Sequence, residues 1–245
     1  AAVLSVMGAL RTGAGLVTLA APECVVAAAA ARVPEAIFLA DAAQERILEE
    51  VSRSEVCLLG CGLSADADTA QLAKKALDAS MGVVVLDAGA LCSLADDISA
   101  ITAFAQSQPL IVTPHPGEMA RLCRCSVEDI EKERTSCALD FALSTGAITV
   151  LKGHETLIAC PDGTLYENLT GNAGLARGGS GDILAGMIAG LAAQGMSAEH
   201  AAAAGVFLHG LSADRCAARL SMQGMLPSDI LTDLCNIFLV KEQKT

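Results

Sequence analysis

The stretch Asn168-Leu-Thr-Gly-Asn-Ala-Gly-Leu-Ala-Arg-Gly-Gly-Ser-Gly-Asp182, followed directly by Ile183-Leu-Ala-Gly-Met-Ile-Ala-Gly-Leu-Ala-Ala-Gln194, decides how the chain is read. Its first half carries five glycines and almost nothing that could pack in a core. Its second half is an unbroken run of small and apolar residues with the look of a buried helix. A glycine loop that feeds a helix gathers unpaired backbone N–H groups at the positive end of the helix dipole, which suits an anion. The residues offered to it are Gly178, Gly179, Ser180 and Gly181. Asp182 stands at the junction. An acid beside a phosphate site is electrostatically costly, which points to catalysis; a plain helix cap is the competing reading.

Strands and helices alternate outward from this stretch. Residues 1–12 read as a helix ending at Gly13, Gly15–Ala20 as a strand closed by Pro22, 23–32 as a helix and Ala36–Leu39 as a strand. An amphipathic helix is expected over Ala42–Ser52. Ser54–Gly60 reads as a buried strand breaking into Gly60-Cys-Gly-Leu-Ser64, and Asp66–Ala79 as a helix. Gly82-Val-Val-Val-Leu-Asp87 is a continuous apolar run of the kind found in parallel strands covered on both faces. Helix follows over 90–106, then a strand Pro109–Thr113, a rigid turn Pro114-His-Pro-Gly-Glu118, and helices from Met119 and over Glu128–Ser144. Ala147–Leu151 is a strand running into Lys152-Gly-His-Glu-Thr156. Leu157–Cys160 and Thr164–Tyr166 form a hairpin. After the opening stretch come helices over Ala198–Ala218 and Pro227–Leu239, and a frayed tail from Lys241.

This pattern predicts a single α/β domain over residues 1–245 with a mostly parallel sheet. Ligands of such sheets sit at the carboxyl ends of the strands. Gly60–Ser64, Asp87, Thr113–Glu118 and Lys152–Thr156 all follow strands, so parallel order would gather them on one edge. There His115 offers a substrate contact or a bond to a nearby carbonyl, and Glu118 suits the start of a helix. Lys152 is able to reach a phosphate as a point charge or to stay solvated. Arg177 either counters a phosphate or lies exposed.

Composition narrows the function. The net charge of −12 opposes binding to nucleic acid or anionic membranes. No apolar run is long enough to span a membrane, and the N-terminus lacks the basic region of a signal peptide. A cytoplasmic setting follows. Hydrophobic residues make up 53% of the chain, yet aromatics only 2% and there is no Trp, so the core must be aliphatic. Ten scattered cysteines form no CxxC pair, which predicts buried free thiols and no zinc. No metal cage is visible. P-loop, Ser-His-Asp and HExxH signatures are absent. A glycine-lined anion hole with an acid suits phosphoryl transfer to a hydroxyl, with the acid taking the proton and Mg²⁺ held mainly by water and phosphate.

Gly13-Ala-Gly-Leu-Val-Thr, Gly60-Cys-Gly-Leu, Leu86-Asp-Ala-Gly-Ala-Leu91, Thr113-Pro-His-Pro-Gly-Glu-Met-Ala-Arg-Leu122, Val150-Leu-Lys-Gly and the glycine stretch occur in one order that resembles the ADP/ATP-dependent (S)-NAD(P)H-hydrate dehydratases. The resemblance covers nearly the whole chain. It implies a ribokinase-like three-layer αβα sandwich and a repair reaction that returns (S)-NAD(P)H-hydrate to NAD(P)H at the expense of ADP or ATP with Mg²⁺. It implies Asp182 as the base, Ala1, Gly62 and His115 as substrate contacts, and Lys152, Gly153, His154, Glu155, Thr156 and Gly181 as nucleotide contacts. It also implies a homo-oligomer, a tetramer among the options. The chain departs from the family pattern in starting inside the first helix, as an N-terminally truncated domain would. It also carries Gly89 where a second Asp is usual, Cys61 for a Pro and Ser64 for a Gly. Two alternatives remain at this level: a ribokinase-like kinase acting on a vitamin precursor, which would usually lack Pro-His-Pro-Gly-Glu, and an inactive nucleotide-binding remnant.

Overall fold

A computed structural model of the chain describes residues 1–242 and divides it into two compact units. One comprises Ala1–Asp41, Leu169–Gly195 and Ala204–Thr245; the other comprises Ala42–Asn168 and Met196–Ala203.

The chain begins with helix α1 (Ala2–Thr12), which stops where Gly13 takes a left-handed φ of 109° and returns its N–H to the last turn. Strand β1 (Thr18–Ala21), helix α2 (Glu23–Ala30) and strand β2 (Ile37–Ala40) then make a βαβ unit, the strands pairing in parallel with Thr18 opposite Ile37. β1 starts later than the apolar run suggests, at Thr18.

The central unit follows. Helix α3 (Gln44–Arg53) leads to β3 (Val56–Leu59), α4 (Ala67–Ala79), β4 (Val83–Leu86), α5 (Ala88–Ser93) and α6 (Ile98–Ala105). Next come β5 (Leu110–Val112), α7 (Pro116–Cys123), α8 (Val127–Lys132), α9 (Arg134–Thr145) and β6 (Ile148–Leu151). The hairpin β7 (Leu157–Ala159) and β8 (Leu165–Glu167) closes it. The six strands lie side by side in sequence order. β3 to β6 run parallel, with Val56 opposite Val83, Val84 opposite Leu110 and Ile111 opposite Ile148, and β7 and β8 run antiparallel. Each parallel strand is reached through helix, as a crossover requires. Burial of β4, β5 and β6 explains their lack of polar alternation. The core of this unit is aliphatic, with Leu86, Leu91, Leu94, Ile101, Ile111, Met119, Ile130 and Leu151 sealed from solvent.

Two expectations are corrected here. The single helix over 128–144 is two, because the backbone turns out of helical geometry at Glu133 (φ −125°, ψ 39°). Helix α7 begins at Pro116, so Pro116, Gly117 and Glu118 belong to its first turn and His115 is its cap.

Past a 3-10 turn (Ala173–Leu175), the chain forms α10 (Ser180–Ala192), α11 (Ala198–Leu220) and, after a second 3-10 turn (Pro227–Asp229), α12 (Ile230–Glu242). The frayed tail expected from Lys241 is helical to Glu242; its remainder, 243–245, lies outside the described residues. α10 crosses α1 at backbone contact. A Cβ on Gly186 would stand 2.1 Å from the Ser5 carbonyl oxygen, and one on Gly190 would stand 2.6 Å from that of Ala9. Thus the small residues of the opening stretch set how closely the helix bearing Asp182 approaches its neighbour. On its other side Ile183 and Met187 pack with Ala213, Cys216, Ile230 and Leu234.

The thiols are free, as expected, but mostly not buried: Cys24, Cys123 and Cys125 are exposed, while Cys160 and Cys216 are the fully buried ones. Burial pushes the Cys160 thiol up to about 11. Among the described residues no helix is long and apolar enough to cross a membrane.

Candidate functional site

In the central unit the carboxyl ends of β3, β4, β5 and β6 deliver the polar turns to one edge. Asp87, directly after β4, is 2% exposed. Its Oδ1 accepts hydrogen bonds from the Thr113 hydroxyl (2.7 Å) and the Lys152 ammonium (2.8 Å). Its Oδ2 accepts a weaker one from the Cys61 thiol at 3.6 Å. The Lys152 Nζ also lies 3.7 Å from Glu118, and the Lys152 N–H donates to the Pro114 carbonyl. Burial works to lower the Lys152 pKa, but Asp87 and Glu118 outweigh it and hold the pKa above the ordinary lysine range. Lys152 is therefore a cation clamped between two carboxylates rather than a solvated strand-end lysine.

His115 caps α7: its Nδ1 accepts from the N–H groups of Gly117 and Glu118, and the Glu118 carboxylate accepts from the His115 N–H at 2.8 Å. Gly62 sits in the turn after β3 with a φ of 85°, two residues from Gly60, where a Cβ would fall 1.7 Å from the Asp87 carbonyl oxygen. Gly89 has a similar reason: a Cβ there would lie 2.0 Å from the Leu63 carbonyl oxygen. The turn 60–64 rests on the start of α5, and an aspartate at 89 would displace it.

Residues 152–156 form a tight loop closed by the Thr156 hydroxyl donating to the Gly153 carbonyl at 3.1 Å. Glu155 is left-handed (φ 55°), and His154 points into solvent with its side chain 92% exposed. The guanidinium of Arg134 supports the loop from α9 through the carbonyls of Leu151 and Glu155. The structure thus joins His115, Lys152 and the Gly62 turn through Asp87, Thr113, Glu118 and Cys61, which the sequence placed on the same edge without a binding or catalytic role. For Asp87 and Glu118 the signal existed, since each follows a buried strand. Arg134 gave none.

In the other unit the opening stretch is held by α11. The Gly171 N–H and the Asn172 side-chain amide donate to the two oxygens of Asp214 at 2.9 and 3.0 Å, and the Asn172 Oδ1 accepts from the Gly174 N–H. The Thr170 hydroxyl donates to the Phe207 carbonyl, and Arg177 donates to that of Gln223. Arg177 is thereby an anchor of the loop. The cap of α10 is Gly179 at φ 100°, with no side-chain hydrogen bond, which corrects the reading of Asp182 as a cap. Asp182 is the third helical residue, and its Oδ2 is 3.8 Å from the Ala1 nitrogen. The Ser180 hydroxyl is buried without a hydrogen-bond partner among the described residues. A Cβ on Gly178 would meet no atom within 4 Å among the described residues. A helix start without a capping side chain, carrying an idle hydroxyl and a bare glycine, is built to receive an anion.

The carboxylates of Asp87 in one unit and Asp182 in the other offer anionic oxygens, Asp87 beside the Cys61 sulfur and the Lys152 ammonium. That chemistry fits a hard cation such as Mg²⁺, which keeps several waters and takes one or two protein carboxylates.

This architecture and donor set define an α/β fold of the ribokinase-like class. The sequence model described as NAD(P)H-hydrate dehydratase matches residues 1–236, and the chain belongs to that family. It is 40% identical over 238 residues to the bifunctional NAD(P)H-hydrate repair enzyme Nnr of Moorella thermoacetica, covering 93% of this chain and 44% of that protein. The ADP-dependent (S)-NAD(P)H-hydrate dehydratase of Xanthomonas campestris is 35% identical, with 94% of this chain and 80% of the relative covered. Among solved structures, the ADP/ATP-dependent NAD(P)H-hydrate dehydratase of Bacillus subtilis, co-crystallised with ATP and Mg²⁺, superposes with a TM-score of 0.81 at 30% identity over 97% of this chain and 83% of that one. The chain therefore spans less than half of the bifunctional relative and most of the single-activity ones.

Proposed function

We propose that residues 1–245 act as one catalytic domain that dehydrates (S)-NAD(P)H-hydrate to NAD(P)H at the expense of ADP or ATP. The observation that carries this reading is Asp182 in the first turn of a helix whose start has no capping side chain. In the proposed chemistry the hydroxyl oxygen of the hydrated ring attacks the terminal phosphorus of the nucleotide. The bridging P–O bond breaks, and Asp182 takes the hydroxyl proton. The ring C–O bond then breaks, phosphate leaves, and the adjacent carbon gives up a proton to the departing phosphate, which restores the double bond. The N–H groups around Gly178–Gly181 meet the growing charge on the transferred group. Mg²⁺ would supply charge neutralisation on the phosphates, held mainly by water and phosphate oxygens.

Within this reading Ala1, Gly62 and His115 contact NAD(P)H-hydrate, and Lys152–Thr156 with Gly181 contact the nucleotide. Lys152, held by Asp87 and Glu118, also fixes the loop 152–156. A cytoplasmic homo-oligomer completes the proposal. The test incubates purified protein with (S)-NADHX, Mg²⁺ and either ADP or ATP and follows the return of NADH absorbance. Recovery with one nucleotide identifies the co-substrate; no recovery with either ends the proposal.

A further inference from the structure

Each residue of Pro114–Glu118 has a task at the head of α7. Pro114 and Pro116 restrict the backbone on both sides of His115. Pro116 occupies the first helical position, where a missing N–H costs nothing. The next donors in line are the N–H groups of Gly117 and Glu118, and both reach His115 Nδ1, at 3.0 and 3.2 Å. Glu118 Oε2 answers by accepting the His115 N–H. Position 117 is glycine because the imidazole folds over it. A Cβ there would stand 2.9 Å from His115 Cε1 and 3.2 Å from Nδ1.

A ring nitrogen that accepts hydrogen bonds carries no proton. Nδ1 accepts two, so the neutral ring keeps its proton on Nε2. Nε2 lies 3.5 Å from Glu118 Oε1, too long for a good hydrogen bond, and the side chain is 56% exposed. We propose that His115 is a specificity-determining donor: the α7 cap locks it in the Nε2–H form, so it selects an oxygen acceptor on the nicotinamide nucleotide and is barred from serving as a base through Nε2. The ligand half of this inference rests on the proposed function; the lock rests on the cap geometry alone. A ring free to use either nitrogen would recognise donors and acceptors alike. This one discriminates between them before any ligand arrives.

The lock is read on the full ¹⁵N-labelled chain without ligand, at mildly alkaline pH. Long-range ¹H–¹⁵N correlation, with His115→Asn identifying the signals among the four histidines, is expected to show one pure Nε2–H tautomer. Couplings across the N–H···N bonds should link Nδ1 to the Gly117 and Glu118 amides. Averaged tautomers without those couplings overturn the lock. Gly117→Ala is expected to push the ring off the cap and abolish the couplings. If they persist, the steric argument fails.

The ligand half is read by binding. Asn is itself a good cap, so His115→Asn should keep the melting temperature while weakening NADHX binding about tenfold, the loss of one hydrogen bond. A lower melting temperature with binding intact reduces His115 to a structural cap. Wild-type protein that binds no NADHX sinks the proposed function and the ligand half together, while the couplings still decide the lock.

Discussion

The head of α7 and the loop before α10 both present a helix start to the solvent side of their units, but they are held in opposite ways. The hydrogen bonds between His115 and Glu118 stay within three residues, with the Lys152 ammonium 3.7 Å from Glu118 behind them. The loop Leu169–Asp182 is bound to Phe207, Asp214 and Gln223, residues 37, 43 and 46 positions from their partners. One is a self-contained knot; the other is a strap fastened to a distant helix. A self-contained knot survives damage elsewhere in the fold and keeps its chemistry fixed. A strap couples the placement of Asp182 to the integrity of α11.

The largest expected effect sharpens the role of the strapped region. Asp182→Asn should lower turnover by about 10²–10⁴-fold, the usual worth of a positioned base, with nucleotide affinity nearly unchanged. Steady-state kinetics beside ADP titration decides this, and activity within tenfold of wild type would remove Asp182 from the role. Next comes the ion pair behind the knot. Lys152→Met leaves Asp87 buried without its cation and should cost about 3–5 kcal/mol in urea unfolding. Because the folded Lys152 pKa is raised, its contribution is fully present below the ordinary value of 10.5 and is lost as pH climbs through the higher folded value. The urea midpoint of the wild type should therefore fall on the alkaline side of 10.5 more steeply than that of Lys152→Met.

The third prediction tests the comparison directly. Asp214→Ala removes two charge-assisted hydrogen bonds and should cost about 2 kcal/mol. Amide exchange should speed up over 170–181 and stay unchanged over 115–119. Equal acceleration in both segments would abolish the distinction between strap and knot. The smallest effect belongs to Glu118→Gln, whose amide oxygen still accepts the His115 N–H. Stability should change by less than about 1 kcal/mol, measured by thermal melting, and the cap should persist.

The same distinction explains what was legible in the sequence. The alternation of strands and helices, and the parallel run through Val83–Leu86, followed from local periodicity, and so did the gathering of polar turns on one sheet edge. The helix after Asp182 was read correctly because the small and apolar run Ile183–Ala192 leaves few other choices. Two errors at helix starts came from cap chemistry. His115 lies outside the usual Ser, Thr, Asp and Asn set, so α7 was expected three residues late. At α10, an acid near the junction concealed that a left-handed glycine was the cap. Asp214 and Arg134 left no trace, because one charged residue on a helix looks like any other until a distant loop arrives. The break at Glu133 was hidden by good helix formers on both sides.

The scarcity of aromatic side chains in this core has a practical consequence. With no Trp and a single Tyr, half-exposed on β8 at position 166, the protein is nearly dark in the near ultraviolet. Its folding must be followed by circular dichroism or exchange rather than by intrinsic emission. In return, reduced nicotinamide formed in the site would glow against an empty background, so the proposed product would report its own appearance.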